Sequence, residues 1–83
     1  MVEVVIYTKD YCYYCKKAKA LLNEKGVKFK EIDVTYDQEK EKEMIEKSGR
    51  VTVPEIFING KLVGGCDDLF ELEDRGKLDK LLN

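Results

Sequence analysis

Two cysteines three positions apart, Cys12 and Cys15, are the residues of this chain best suited to chemistry. They follow an apolar run, residues 4–7, and open a segment in which apolar residues recur at helical spacing. On a helix, residues three apart share a face with Cβ atoms roughly 5–6 Å apart. That separation is near the range that a disulfide bridges with little movement of the backbone. A C-x-x-C motif between a strand and a helix is typical of a thioredoxin-like redox centre.

The two cysteines are predicted to have unequal roles. Cys12 would lie where the helix begins, against unpaired backbone N–H groups and the positive end of the helix dipole, both of which favour a thiolate. Cys15, one turn further on, is in line with Ala18 and Leu22 and should be less exposed. We therefore predict that Cys12 attacks and that Cys15 resolves.

Three other interpretations of the cysteines are weaker. A structural zinc site needs four ligands, and the chain adds only Cys66 to the pair and contains no histidine. A structural disulfide across so short a loop would constrain the unfolded chain very little. Inert buried thiols are an equally weak interpretation, because a C-x-x-C motif in a reducing compartment is more often catalytic or metal-binding than structural.

Composition restricts the classes of function further. The 83 residues, 1–83, are predicted to form one domain, and a net charge of -2 provides no basic field for nucleic acid. The absence of histidine excludes Cys–His and Ser–His catalytic pairs. No basic region precedes the first apolar run, and no stretch approaches the ~20 apolar residues of a membrane span. These features predict a cytoplasmic protein with no membrane partner.

The pattern along the chain predicts an α/β fold of order βαβαββα. The Thr35-x-x-Gln38 pattern is a capping box for the second helix, and Asn59-Gly60 between two apolar runs is a strong hairpin signal. A parallel crossover followed by a hairpin implies a four-stranded mixed sheet with helices on both faces. The predicted strands are 3–7, 27–34, 55–58 and 61–63; the helices are 13–25, one ending near 48–49, and one opening at 64–68, followed by a short turn at 78–82.

Three separated motifs now resemble the glutaredoxin family, over essentially the whole chain. Cys12-Tyr13-Tyr14-Cys15 is similar to the family's C-P-Y-C, Thr52-Val53-Pro54 to T-V-P, and Gly64-Gly65-Cys66-Asp67-Asp68 to G-G-x-x-D. The resemblance implies a thioredoxin-like fold with sheet order 2-1-3-4 and with the first and third helices on one face.

The resemblance also implies a glutathione site. By the family pattern, Lys9 meets the glycyl carboxylate, and the bond before Pro54 is cis so that the Val53 backbone pairs with the cysteinyl backbone. The N–H groups of Cys66 and Asp67 would hold the γ-glutamyl carboxylate at a helix start. The implied glutathione-binding residues are Lys9, Tyr14, Thr52, Val53, Pro54, Gly65, Cys66 and Asp67.

Some details stay open at this level. Asp67 or Asp68 could cap the helix, and Arg50 is not assigned to the ligand because the residue directly before Thr52 is Val51. Tyr13 replaces the family's usual proline, which restores an N–H donor and leaves φ free.

The predicted function is that of a dithiol glutaredoxin, which reduces protein–glutathione mixed disulfides and protein disulfides. Glutathione is the expected co-substrate, with no permanently bound cofactor and no metal. The expected partners are glutathionylated or disulfide-containing proteins, and the expected state is a monomer. One alternative is a glutathione-assisted [2Fe–2S] carrier, because members lacking the proline include some that bind such a cluster. Another is a redoxin reduced by thioredoxin reductase.

Overall fold

The computed structural model of the protein describes residues 2–83. Its strands are β1 (Val4–Thr8), β2 (Lys30–Asp33), β3 (Glu55–Ile58) and β4 (Lys61–Gly64), and its helices are α1 (Tyr13–Glu24), α2 (Gln38–Ser48), α3 (Cys66–Asp74) and α4 (Leu78–Leu82). The sheet order is β2-β1-β3-β4, with β1 parallel to β2 and the other pairs antiparallel. This topology confirms the predicted mixed sheet. No helix within residues 2–83 is long and apolar enough to cross a membrane.

Helices cover both faces of the sheet, as predicted. The larger core cluster joins one face to α1, α3 and α4, and includes the fully buried Ile6, Leu22 and Leu69. The smaller cluster contains Tyr7 and Met44, so it joins the opposite face to α2. Ile6 and Tyr7 fall into different clusters because successive side chains of a strand point to opposite faces. The first and third helices therefore share a face, as the family resemblance implies.

The second strand is shorter than the predicted span 27–34. Val27 and Phe29 pack against the larger cluster, whereas Ile32 and Val34 pack against the smaller one. The segment 27–34 therefore places its first apolar side chains on one face of the sheet and its later ones on the other face. The change of side explains the shift in alternation seen in the sequence, and β2 begins only where the chain pairs with β1.

The predicted capping box at Thr35 is wrong. The N-cap of α2 is Asp37, whose carboxylate accepts a hydrogen bond from the N–H of Lys40 at 3.0 Å. Thr35 Oγ1 accepts instead from the N–H of Asp10 at 2.9 Å and donates to Asp33. Its hydroxyl thus connects the loop after β1 to the loop after β2. A capping rule considers only neighbouring residues, so it could not predict the bond from Asp10.

The predicted hairpin is confirmed. Asn59 and Gly60 have φ values of 52° and 80°, the two positive angles that a type I′ turn requires. The side-chain oxygen of Asn59 accepts from the N–H of Glu3 at 2.9 Å, so the turn is also tied to the start of β1.

Candidate active site

Cys12 lies at the junction of β1 and α1, where it is the N-cap residue of the helix. Its backbone is extended, with φ -88° and ψ 111°, and its Sγ accepts a hydrogen bond from the N–H of Cys15 at 3.1 Å. The sulfur also lies 3.7 Å from the carbonyl oxygen of Val53. A helix start and a directed N–H both stabilise negative charge. This partly exposed sulfur is therefore placed to act as a nucleophile.

Cys15 lies one turn further into α1 and is only 1% exposed, which confirms that it is the less accessible of the two. Burial raises the pKa of its thiol well above the ordinary value, and the neighbouring Cys12 acts in the same direction. Cys15 is therefore a neutral thiol at neutral pH. Its burial and its raised pKa make it the less reactive of the two thiols in the reduced protein.

We expect iodoacetamide to modify Cys12 first in the reduced protein at pH 7. The reagent needs an accessible thiolate, and burial raises the pKa of both Cys15 and Cys66. Peptide mass spectrometry at successive times would give the order of labelling, with urea-unfolded protein as the control in which burial no longer separates the three sites. Earlier labelling of Cys15 would reverse the roles assigned to the pair.

The segment 52–54 faces Cys12 from the start of β3. The Val53–Pro54 peptide bond is cis, as the family resemblance implies. Thr52 Oγ1 donates a hydrogen bond to Oε2 of Glu55 at 2.9 Å, and the Val53 carbonyl is the group near Cys12 Sγ. This segment therefore forms one wall beside the sulfur.

The segment 64–68 forms the opposite wall at the start of α3. Gly65 is the N-cap residue, and its N–H donates to Oδ2 of Asp68 at 2.9 Å. That bond, helped by Arg50 at 3.2 Å, lowers the pKa of the Asp68 carboxyl. Asp68 thus makes the capping contact that the sequence left open between two aspartates. Asp67 and the buried Cys66 place their N–H groups in the first turn, where no intrahelical acceptor exists.

A cleft of about 280 Å³ separates these walls. All the residues predicted to bind glutathione line it except Lys9, and Asp68 lines it as well. The lining residues are Tyr14, Thr52, Val53, Pro54, Gly65, Cys66, Asp67 and Asp68. Three segments far apart in sequence therefore meet beside the N-terminus of α1, in the arrangement of a small-molecule site with few, convergent polar groups.

Lys9 lies outside the lining of the cleft. Its Nζ is 3.0 Å from Oε2 of Glu41 on α2, and this contact raises the pKa of the lysine. Both side chains are partly exposed, and ion pairs that solvent screens contribute about 0–1 kcal/mol. Another carboxylate could therefore replace Glu41 as the partner of Lys9 at little cost in free energy.

Sequence reasoning missed Glu55 and the role of Arg50. Glu55 is fully buried, although it is the first residue of an otherwise apolar strand. Arg50 Nη1 lies between Asp68 Oδ2, at 3.2 Å, and Glu55 Oε1, at 4.0 Å. A charge directly after the Thr-Val-Pro triplet was the available signal for Glu55. The contact between Arg50 and Asp68 joins residues that are distant in sequence, so no local pattern indicated it.

A protein-family model described as glutaredoxin matches residues 4–63. The chain belongs to the glutaredoxin family. Glutaredoxin 3 of Escherichia coli (strain K12) is 55% identical over 82 residues, covering 99% of both chains. Membership of this family supports a thiol–disulfide oxidoreductase role for the protein.

Solved structures agree with this assignment. The solution structure of glutaredoxin from Brucella melitensis is 58% identical, with a TM-score of 0.87, and the match covers 99% of this chain and 89% of that one. The crystal structure of a buckwheat glutaredoxin–glutathione complex also has a TM-score of 0.87, at 33% identity, covering 95% of this chain and 74% of that one. The fold is therefore thioredoxin-like.

Proposed function

We propose that this glutaredoxin uses glutathione to reduce protein–glutathione mixed disulfides and protein disulfides. The observation that carries the proposal is the position of the Cys12 sulfur, which touches the Val53 carbonyl at the edge of the cleft. A glutathionyl group joined to that sulfur would have the cleft directly beside it. The likeness to the buckwheat glutaredoxin–glutathione complex supports the choice of ligand.

The first exchange joins Cys12 to glutathione. The Cys12 thiolate attacks the glutathione-side sulfur of the mixed disulfide, the old S–S bond breaks, and the substrate protein leaves as a thiolate that takes up a proton. A second glutathione thiolate then attacks the glutathione sulfur of the adduct. This step releases oxidised glutathione and restores the Cys12 thiolate, so each step exchanges one S–S bond for another.

Protein disulfides require the second cysteine. Cys12 attacks one sulfur of the substrate disulfide, and the other substrate sulfur leaves as a thiolate. Cys15 then attacks the Cys12 sulfur of the mixed disulfide, which releases the second substrate thiolate and leaves a Cys12–Cys15 disulfide. Two glutathione molecules reduce that disulfide and leave as oxidised glutathione. Cys15 must lose its proton before it attacks. The buried thiol becomes reactive only when its target sulfur is already in place, which suppresses side reactions of the free protein.

The walls of the cleft supply the recognition in this proposal. The first-turn N–H groups at Cys66 and Asp67 can bind a carboxylate, and the Val53 backbone can pair with the peptide of glutathione. Lys9 would exchange Glu41 for the glycyl carboxylate. Glutathione is a co-substrate here rather than a resident group. The monomeric state and the cytoplasmic location are parts of the same proposal.

The test is reduction of cysteine–glutathione disulfide, coupled to glutathione reductase and NADPH. We expect turnover that depends on both the protein and reduced glutathione. A parallel reaction with thioredoxin reductase in place of glutathione tests the alternative electron donor. Turnover only in that second reaction would contradict the proposal. Because no finding on this chain favours the hypothesis of an iron–sulfur carrier, it is not proposed.

Replacing Tyr13 with proline should make the protein slightly more reducing. Tyr13 is the first residue of α1, a position that tolerates proline, and the donor to Cys12 Sγ is the N–H of Cys15, which remains. The stiffer turn favours disulfide closure. We expect a shift of about 30 mV or less, which corresponds to ~1.4 kcal/mol.

Equilibration against glutathione buffers would measure this potential. A Tyr13→Ala variant is the matched control, because it removes the same ring without fixing φ. An equal shift in both variants would mean that loss of the ring, rather than the stiffened turn, changes the potential.

A further inference from the structure

Glu55 is a buried carboxylate in an apolar setting. It is 0% exposed, begins the otherwise apolar β3, and lies opposite Tyr7 of β1 in the sheet register. An ionised carboxylate removed from water costs several kcal/mol unless charged and hydrogen-bonding partners compensate for the loss of hydration. An apolar residue would satisfy the packing of this strand without that cost.

The partners of Glu55 compensate only in part. Oε2 accepts the hydrogen bond from Thr52 Oγ1 at 2.9 Å. Oε1 receives no hydrogen bond from any residue in the described range 2–83, and Arg50 Nη1, at 4.0 Å, is beyond hydrogen-bonding distance. Burial accordingly raises the pKa of Glu55, opposed by Thr52 and Arg50. A native group left this incompletely bonded requires an explanation.

The contacts of Glu55 reach both walls of the cleft. Thr52, its direct partner, belongs to one wall. Arg50, attracted by Glu55, also contacts Asp68 at 3.2 Å, and Asp68 accepts the N–H of Gly65 at 2.9 Å in the other wall. One buried carboxylate thus lies behind the cleft with a connection to each side.

The hydroxyl of Thr52 donates its single proton to Oε2 of Glu55. An ionised carboxylate can only accept such a bond, whereas an amide at the same position could also donate. The oxygen of that hydroxyl is then left as an acceptor at the wall of the cleft. Glutathione carries an ammonium group and two peptide N–H groups that such an acceptor suits.

We propose that Glu55 is a positioning residue for glutathione, acting through Thr52 on one wall and through Arg50 and Asp68 on the other. The inference rests on the proposed function. Glu55 touches neither the ligand nor the reacting sulfur, so it affects binding of the ligand rather than the chemical step. Its unfavourable burial is retained for this role.

The substitution Glu55→Gln keeps the shape but removes the charge and permits the Thr52 bond to reverse. We expect the KM for cysteine–glutathione disulfide to rise between about twofold and tenfold, the effect of one altered hydrogen bond. The value of kcat should not change. The Kd of S-methylglutathione, which cannot react, should rise by the same factor in calorimetry. The thermal midpoint should stay the same or increase, because a poorly compensated buried charge is lost.

The variant Glu71→Gln is the matched control. It also removes a carboxylate paired with an arginine, since Glu71 Oε1 lies 2.9 Å from Arg75 Nη2, but this pair is exposed and outside the cleft. We expect no change in KM. An equal KM for the Glu55→Gln variant and the wild type, or a lower stability with unchanged KM, would overturn the inference.

A double-mutant cycle with Thr52→Val tests the route of the effect. Thr52 is exposed, so the valine variant should fold, and it removes the same hydrogen bond from the other end. Glu55→Gln should raise KM less in that background than in the wild type. Fully multiplicative effects would overturn the route through Thr52. If the wild type itself neither turns over the disulfide nor binds S-methylglutathione, the proposed function fails, and the inference fails with it.

Discussion

Replacing Cys12 with serine should abolish thiol transfer, while Cys15→Ser should keep the reduction of glutathione mixed disulfides. A serine hydroxyl forms no disulfide, so the first variant cannot make the adduct through which every turnover passes. The expected loss is of several orders of magnitude, to the uncatalysed background. Cys15 has no part in the exchange with external glutathione and should be dispensable there.

The geometry explains why the Cys15→Ser variant should keep its activity on glutathione mixed disulfides. The donor to Cys12 Sγ is the backbone N–H of Cys15, which a change of side chain leaves in place. The buried sulfur at position 15 would become a buried hydroxyl, at a cost of about 1–3 kcal/mol if it finds no partner. Folding should therefore be checked by circular dichroism before the rates are compared.

Two substrates separate the roles of the cysteines. Turnover of cysteine–glutathione disulfide should fall to background only in Cys12→Ser, and reduction of a protein disulfide should be impaired in both variants. Mass spectrometry of quenched reactions should find glutathione on position 12 of the Cys15→Ser protein. Retained turnover in Cys12→Ser, or an adduct at another cysteine, would contradict the mechanism.

Local patterns predicted the elements that depend on near neighbours. The spacing of Cys12 and Cys15 predicted that the residue at the start of α1 is more accessible than the one a turn later, and Cys12 is partly exposed whereas Cys15 is buried. Asn59-Gly60 predicted the hairpin because both residues readily adopt positive φ. In these cases the deciding atoms lie within a few residues of each other.

Local patterns gave wrong predictions where a side chain forms hydrogen bonds with a residue distant in sequence. Thr35 and Asp37 are both suitable helix caps, and Asp37 takes the role because the Thr35 hydroxyl is bound to Asp10 and Asp33. No rule confined to one turn could anticipate that choice. The shortened β2 has a similar origin, since its start at Lys30 is set by pairing with the distant strand β1.

The candidate site, too, was predicted only in part. The residues lining the cleft came from motifs similar to those of a known family, and the cis bond before Pro54 was implied by that resemblance alone. Local statistics would have given such a bond only about a 5–6% chance. The contacts of Arg50 with the carboxylates of Glu55 and Asp68, behind the cleft, were not predicted. They depend on how β3 and α3 pack together, which no single motif indicates.

Replacing Gly64 with alanine should cause a large loss of stability. Gly64 has a φ of 122°, which a side chain disfavours, and an added Cβ would overlap the Asp68 carboxylate and lie 3.0 Å from Arg50 Nη1. Backbone strain of about 1–3 kcal/mol and overpacking of similar size add to roughly 2–6 kcal/mol. That is a large share of the ~5–15 kcal/mol that stabilises a typical domain.

Gly76→Ala is the control that isolates the backbone effect. Gly76 also has a positive φ, of 69°, but nothing lies within 4 Å of the position of its Cβ. We expect a loss of about 1–2 kcal/mol there. Urea unfolding of both variants would measure the free energies. The difference between them reports the overlap at the Asp68 carboxylate together with the extra backbone strain at the larger φ of Gly64.

The carboxylate of Asp68 can then be tested directly in the Gly64→Ala background. Asp68→Ala removes the atoms that the new methyl group would meet, together with the bond to the Gly65 N–H. Alone it should destabilise the protein by about 1 kcal/mol, the usual effect of losing a helix cap. In the Gly64→Ala protein it should cost less or restore stability, because it relieves the overlap. Simple additivity of the two free energies would show that strain at Gly64 comes from the backbone alone and that the wall of the cleft is not closely packed there.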